Sequence, residues 1–406
     1  MIGHAMPAAG AAGLIKAALA LHHRVLPPTI KVETPLKPLA EGSGPFYLNT
    51  VKRPWVSRSG HPRRAAVSAF GFGGSNYHAV LEEHPETPPA PDWDGDVQIV
   101  AFSETTPDDL KRRLRDWNPP ADWTAVRAEA QQLRAAFDAT KPVRLLAVIR
   151  RGDAPKAVIQ RALEHLETES ETSWEIPTGI FYGTGDVPGK LAVIFSGQGT
   201  QYPGMLADMA CQFPEFMEVL DQADTGYETH GRGTPDMRLS DIIYPKSAFN
   251  DEAREHQEEM LQQTENAQPG IGAVSIGAWR VLNERFGLVP DAAAGHSYGE
   301  ICGLCAAGVL GADDFHHLSS LRGRLMSEGD QDRGGMAAVT VPLDDIRKVL
   351  DEEKLNLVIA NKNSPAQGVI SGASEEIQKA LEAFGARKMR IIPLKVSAAF
   401  HSPLIA

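Results

Sequence analysis

Cysteine is scarce in this chain: Cys211, Cys302 and Cys305 are the only three in 406 residues, too few for a disulfide framework. Cys302 and Cys305 form a lone C-x-x-C inside the small-residue stretch EICGLCAAG, so packing is expected there rather than zinc or redox chemistry. No run of about 18 apolar residues occurs, and Met1 is not followed by a basic stretch, an apolar core and a cleavage site, which leaves no sign of a membrane span or a secretory leader. A soluble, cytoplasmic protein without membrane contact is the expectation. No internal repeat is visible. Positive charge is also short: 40 Lys and Arg against 52 Asp and Glu give a net charge of −12, which disfavours nonspecific nucleic-acid binding and repels anionic substrates globally. An anionic substrate must therefore be caught by a local cation.

What is present is an ordinary globular composition, 42% hydrophobic and 23% charged, enough to bury cores in two or three domains. Residues 1–88 open with GHAMPAAGAAGLIKAALAL, a small-residue helix, and close with the Gly-rich FGFGGSNYHAVLEE. VLPPTI and GPFYLNT between them read as extended pieces with turns. The Pro-rich HPETPPAPDWDG marks a boundary, and residues 89–187 read as a small α/β module. In it VQIVAF is a strand, and Thr106 caps a helix with Pro107 at its first position. TAVRAEAQQLRAAF and KAVIQRALEHL are further helices, with the strand VRLLAVI between them. Residues 188–406 form the third region. Within it, 335–396 run as strand MAAVTV, helix DDIRKVLDEE, strands LVIA and GVIS, a helix from Ser374, and strand MRIIPLKV. Ile346, Val349 and Leu350 share the inward face of the first helix, and Ile377, Leu381 and Phe384 that of the second. This βαββαβ order is the ferredoxin-like pattern.

Gly295-His296-Ser297-Tyr298-Gly299 matches G-x-S-x-G, in which a sharp strand-to-helix turn lifts a serine hydroxyl out at the top of a sheet. PDAAAG before it is a short strand, and EICGLCAAGVL after it is helical. A serine nucleophile needs a base, and only His316, His317 and His401 follow it. His316 and His317 are adjacent on one helix, so at most one can face a site. His401 sits in a loop after VSAAF and before Pro403, the kind of position where catalytic residues concentrate, and is the expected base. A second Gly-rich turn, Ser196-Gly197-Gln198-Gly199-Thr200-Gln201, follows the strand LAVIF and lacks the Gly-Lys-[Ser/Thr] of a nucleotide loop. A bare turn there suits an oxyanion hole made by the N–H groups of Gln198 and Tyr298, or packing alone.

GQGTQ, TENAQPG, GHSYGE, LRGRLM and AAFHSP, in this order, resemble the acyltransferase domains of type I polyketide and fatty acid synthases and the free-standing malonyl-CoA:carrier-protein transacylases. IGHAMPAAGAAGLIK and FGFGGSNYHAVLEE resemble the last part of a ketosynthase, and the next segment resembles the ketosynthase–acyltransferase linker. The wording of the motifs is most similar to iterative enediyne and polyunsaturated-fatty-acid synthases. The resemblance implies an α/β fold: an α/β-hydrolase-like large subdomain with an inserted ferredoxin-like small subdomain, preceded by a small α/β linker domain and a thiolase-like ketosynthase fragment. It implies transfer of a malonyl group from malonyl-CoA, through a seryl ester, to the phosphopantetheine thiol of an acyl carrier protein.

By the same resemblance Ser297 is the acyl-accepting serine, His401 its base, Gln198 and Tyr298 the oxyanion amides, and Gln268 and His296 line the pocket. Arg322, in LRGRLM, corresponds to the arginine that clamps the free carboxylate of a malonyl group. A guanidinium fork there supplies the local cation that an acidic protein needs; Arg324 better suits a surface ion pair. AAFH, residues 398–401, resembles the malonyl-type pattern, with Ala398 in place of its usual first histidine. The bulky Phe400 leaves little room on the α-carbon, and one methyl is worth about 1–3 kcal/mol, a preference rather than an exclusion. No cofactor or metal is expected in the chain, since the carrier bears the phosphopantetheine. The expected partners are malonyl-CoA, an acyl carrier protein domain and the rest of a multidomain synthase.

The resemblance places the carbonyl that orients the base, and the last part of the large subdomain, beyond Ala406. An open sheet edge, a loosely held imidazole and weak activity are therefore expected of this chain alone. His4 matches one ketosynthase histidine, but the nucleophilic cysteine and the other histidine would lie upstream, so no condensation is expected. Two rival readings stand beside this one. A serine thioesterase or hydrolase would want an orienting acid between Ser297 and His401, such as Asp344 or Glu376. An inactive linker or scaffold would follow from the missing end. Lys111, Arg112, Arg113 and Arg115 make a basic cluster in the linker helix, suited to docking an acidic carrier protein or simply to a solvated face.

Overall fold

The structure, a computed structural model, describes residues 3–40, 45–57, 60–84, 95–169, 171–186, 189–230, 237–328, 333–394, 396 and 398–404. The Pro-rich stretch 85–94 and the boundaries drawn at 88/89 and 187/188 lie outside the described residues. The chain forms two compact units, one from Met1–Pro88 with Leu191–Ala406, the other from Pro89–Lys190. No helix among the described residues is long and apolar enough to cross a membrane.

The first unit begins with α1 (Ala8–His23), β1 (Val25–Leu26), the one-turn α2 (Lys37–Ala40), β2 (Arg53–Pro54) and the hairpin β3 (Arg64–Phe70) and β4 (Asn76–Glu82). Small residues in α1 let it lie on β3. The buried Arg53 donates to the Tyr244 carbonyl at 2.5 Å, Arg238 to the Val56 carbonyl at 2.9 Å, and the Thr50 amide to the Ser247 hydroxyl at 2.8 Å. These bonds tie the extended segment before the hairpin to the later part of the same unit.

The second unit contains β5 (Val97–Glu104), α3 (Pro107–Asp116), α4 (Trp123–Ala135), β6 (Val143–Arg150), α5 (Pro155–Thr168), β7 (Ser173–Ile176) and β8 (Ile180–Thr184). The sheet order is β5-β6-β8-β7, all antiparallel. Thr106 does cap α3, accepting from the Asp109 amide at 3.2 Å. Leu110, Leu114, Leu145, Ile149 and Ile180 fill the core. The β7–β8 hairpin was not anticipated; the aromatic-rich SWEI and IFYGT flanking Pro177-Thr178-Gly179 are its signal. On α3, Arg112 pairs with Asp109, and Arg115 with Glu167 at 2.7 Å, so half of the basic cluster is already neutralised.

The chain then returns to the first unit with β9 (Ala192–Phe195), α6 (Ala207–Gln212), α7 (Pro214–His230), α8 (Leu239–Ile243), α9 (Asp251–Gln262), α10 (Thr264–Arg280), β10 (Ala292–Gly295), α11 (Gly299–Ala306) and α12 (Ala312–Ser327). β9 and β10 pair in parallel, and α7, α10 and α12 pack on one another. Phe195, Val219, Ile271, Trp279, Tyr298 and Cys302 share a core. Burial pushes the Cys302 thiol up to about 12, which suits packing and not reactivity. Among the described residues β9 pairs with β10 alone, and Ile194 is 78% exposed.

β11 (Gly335–Val339), α13 (Leu343–Glu352), β12 (Val358–Ser364), β13 (Gln367–Gly372), α14 (Ser374–Ala386) and β14 (Ile391–Pro393) complete the chain. Their sheet order, β12-β13-β11-β14, is antiparallel throughout, which is the ferredoxin-like arrangement. Ile346, Val349, Ile370, Ile377 and Phe384 form its core. Two lengths differ from the sequence reading. The turn at Pro365-Ala366 lets β12 run on to Ser364 rather than stop at Ala360, and β14 is only three residues long. Lys395, in the expected last strand, lies outside the described residues.

Phe384 is fully buried, so Phe384→Ala should cost about 3–5 kcal/mol. Hydrogen exchange should show amide protection falling in β11 and β13 while β5 and β6, in the other unit, keep theirs.

Candidate active site

Strand β10 ends at Gly295 and α11 begins at Gly299, so three residues turn the chain. Ser297 at the apex has a φ of 53°, a left-handed conformation that costs a residue with a Cβ. Bare backbone on both sides makes the turn possible. A Cβ on Gly295 would overlap the backbone of Gly299 and Glu300, and one on Gly299 would overlap the carbonyls of Phe195 and Ser196. Hydrogen bonds from Gly299 N–H to the His296 carbonyl (3.0 Å) and from Glu300 N–H to the Ser297 carbonyl (3.1 Å) close it.

His401 reaches this serine from 104 residues downstream, with Nε2 2.7 Å from Ser297 Oγ. Its own φ is 59°, and three bonds hold the loop beneath it. The Ser371 hydroxyl donates to the Phe400 carbonyl (2.8 Å), the Ser402 hydroxyl to the Ala399 carbonyl (2.6 Å), and Ala399 N–H to the Arg333 carbonyl (2.6 Å). Partial desolvation lowers the pKa of His401, with the charges of Arg322 and His296 adding and Glu300 opposing. The ring is thus neutral at pH 7 and able to accept a proton from the hydroxyl. Phe400 packs beside it against Met336, Val369 and Ala398.

The second glycine turn lies against the first. A Cβ on Gly197 would collide with the His296 carbonyl and come 3.3 Å from its Nδ1. The Gln198 side chain is anchored at both ends of its amide, donating to Thr264 Oγ1 (3.1 Å) and accepting from Gln268 Nε2 (3.2 Å). The N–H groups of Gln198 and Tyr298 have no acceptor among the described residues, which leaves both able to donate to an oxyanion.

Arg322 is half-buried on α12, and burial lowers its pKa. Its Nη1 is wholly buried with no hydrogen-bond partner among the described residues, and it forms no ion pair among them. Such a group carries a desolvation cost that an incoming anion removes. Arg324 instead has Glu328 at 3.9 Å.

The other histidines go elsewhere. His316 is buried with its pKa down to about 4, through desolvation, and His317 meets His230 edge-on, with ring centroids 3.9 Å apart. The acids that a hydrolase would use are also committed. Asp344 binds Arg347 (2.5 Å), while Glu376 binds Lys379 (2.7 Å) and accepts from the Asn356 amide (2.9 Å). One polar neighbour escaped the sequence reading: Asn363 Oδ1 lies 3.0 Å from His296 Nε2. It was missed because β12 was ended four residues too early.

A serine on a strand-to-helix elbow, inside a mixed α/β unit with a ferredoxin-like insert, defines the class of the fold. The chain belongs to the acyl transferase domain family, whose model matches residues 193–406. Residues 37–123 match the ketoacyl-synthetase C-terminal extension, and residues 1–33 the C-terminal domain of beta-ketoacyl synthase. The latter span holds no cysteine. The chain is 32% identical over 447 residues to a polyunsaturated fatty acid synthase from Thraustochytrium sp., covering 99% of this chain and 15% of that protein. It is 34% identical over 417 residues to a type I polyketide synthase of phenolphthiocerol synthesis from Mycobacterium bovis, covering 100% and 18%. Thus it spans under a fifth of the length of either relative. Among solved structures, the acyltransferase domain of the second module of the salinomycin polyketide synthase aligns with a TM-score of 0.51 and 28% identity, over 75% of this chain and 66% of that one. The acyltransferase domain of an iterative enediyne polyketide synthase shares the fold, with a TM-score of 0.55 and 24% identity over 76% and 68%.

The depressed pKa of His401 gives a direct test. In histidine NMR its titration midpoint should fall below the ordinary 6.5. Arg322→Gln should raise that midpoint by removing a repelling cation, and Glu300→Gln should lower it further. A midpoint unmoved by both would break the electrostatic link.

Proposed function

We propose that this domain moves a malonyl group from malonyl-CoA, through an ester on Ser297, to the phosphopantetheine thiol of an acyl carrier protein, as one step of polyketide or polyunsaturated fatty acid synthesis. The observation that carries the proposal is the half-buried guanidinium of Arg322, whose buried Nη1 has no partner among the described residues and whose charge acts on the histidine hydrogen-bonded to Ser297. In a chain of net charge −12, such a cation is suited to a carboxylate carried by the acyl group.

The geometry supports a two-stage transfer. Ser297 Oγ attacks the thioester carbonyl carbon while His401 Nε2 takes its proton. The carbonyl oxygen becomes an oxyanion and receives the N–H groups of Gln198 and Tyr298. Collapse breaks the C–S bond, and the CoA thiolate leaves with the proton held by His401. In the second half the carrier thiol gives its proton to His401 and attacks the ester. Ser297 departs and recovers that proton. Arg322 holds the malonyl carboxylate in a two-pronged, charge-assisted contact through both halves, while Gln268, His296 and Phe400 bound the acyl pocket. Phe400 disfavours a methyl on the α-carbon by about 1–3 kcal/mol. The commitment of Asp344 and Glu376 to other partners weighs against the hydrolase reading.

Loss of the base in His401→Ala should slow acylation by about 10²–10⁴-fold. Arg322→Ala should cut the malonyl-to-acetyl preference in kcat/KM by about 10²-fold or more, since two charge-assisted bonds are lost. The measurement is transfer from each CoA ester to a holo carrier protein, with hydrolysis followed in parallel. An unchanged preference in Arg322→Ala, or water outcompeting the carrier thiol, would contradict the proposal.

A further inference from the structure

Tyr298, the residue after Ser297, is fully buried yet carries a hydroxyl, which lies 2.7 Å from the hydroxyl of Ser319. Ser319 is fully buried as well. It stands on α12 one turn before Arg322, and residues three apart share a helix face. One buried hydrogen bond therefore joins the serine elbow to the helix that carries the guanidinium. The fold makes room for it: a Cβ on Gly272 of α10 would overlap the Tyr298 hydroxyl and come 3.0 Å from Phe315 Cζ. Desolvation pushes the Tyr298 phenol well above its ordinary pKa, so it stays protonated, and the Arg322 charge acts on it in the opposite direction.

Packing alone does not require these hydroxyls. Phenylalanine would fill nearly the same volume, and replacing both members of a buried polar pair by apolar groups is often close to neutral for stability. What a buried polar pair supplies is a fixed register between the elements it joins. Ser297 is attached to β10 and α11, whereas Arg322 is attached to α12. A small slide of α12 would leave Ser297 and His401 in place while moving the guanidinium relative to the bound acyl group.

We propose that the Tyr298–Ser319 pair is a positioning device that sets the distance between the nucleophile and Arg322, and thereby the selectivity for carboxylated acyl groups. This rests on the roles given above to Ser297 and Arg322. A fully open selectivity would follow from losing Arg322; a partial one should follow from losing its register.

The test is the malonyl-to-acetyl ratio of kcat/KM in the full chain, with transfer to a holo carrier protein as readout and circular dichroism melting as a folding control. Ser319→Ala should lower the ratio about 10-fold through a raised KM for malonyl-CoA, with acetyl transfer within twofold of the parent. Tyr298→Phe should lower the ratio to a similar extent, and the double variant should fall no further than either single one, the signature of one shared interaction. If Arg322→Ala abolishes the preference but Ser319→Ala and Tyr298→Phe retain it, the positioning role fails and the reading of the site stands. If Arg322→Ala leaves the preference intact, the reading of the site itself fails. Equal losses with both substrates in Ser319→Ala, tracking a lowered melting point, would reduce the pair to a structural contact and overturn the proposal.

Discussion

The left-handed backbone at Ser297 is the constraint on which the rest of the site depends. A residue with a side chain holds that conformation only when its surroundings leave no alternative, and here the surroundings are backbone. Gly295 and Gly299 bring the end of β10, the start of α11 and the exit of β9 to within van der Waals contact of one another. The same crowding presses the Gly197-Gln198 turn onto His296. The parallel pairing of β9 with β10 thus positions the serine and the candidate oxyanion amides together. The strain at Ser297 and the close approach of the two glycine turns have a single cause.

The other half of the site comes from the ferredoxin-like lobe and its exit. His401 follows that lobe, Asn363 reaches His296 from its hairpin, and Ser371 holds the loop that carries the imidazole. Ser297 and His401 adjoin different cores, one centred on Phe195 and Tyr298, the other on Met336 and Phe400. Their 2.7 Å contact is therefore a report on how the two lobes are set against each other. The helix α12 adds a third source, since Arg322 owes its place to packing between α10 and α12. Three parts of one compact unit thus supply Ser297, His401 and Arg322.

Features that are local in sequence were legible from it. The Thr106-Pro107 start of α3, the glycine elbow and the βαββαβ order all depend on residues within a few positions of each other, where capping, bare backbone and periodicity act directly. Arg322 and His401 were singled out by resemblance to a family, with loop placement favouring His401, and no spacing rule would have paired them with Ser297 across such distances in the chain. What stayed hidden is tertiary. Asn363 depended on how far β12 extends, the anchoring of Gln198 by Thr264 and Gln268 on the approach of α10, and the Tyr298–Ser319 bond on the gap left by Gly272. Each arises from helices or strands meeting, and nothing in the local pattern of either partner announces it.

Ser297 is the proposed carrier of the acyl group. Intact-protein and peptide mass spectrometry after brief exposure to malonyl-CoA at neutral pH examines this most directly. One malonyl group per chain, mapped to the peptide containing Ser297 and absent from Ser297→Ala, is the expected result. Labelling at Cys211 or at a lysine instead, or undiminished labelling of Ser297→Ala, would contradict it.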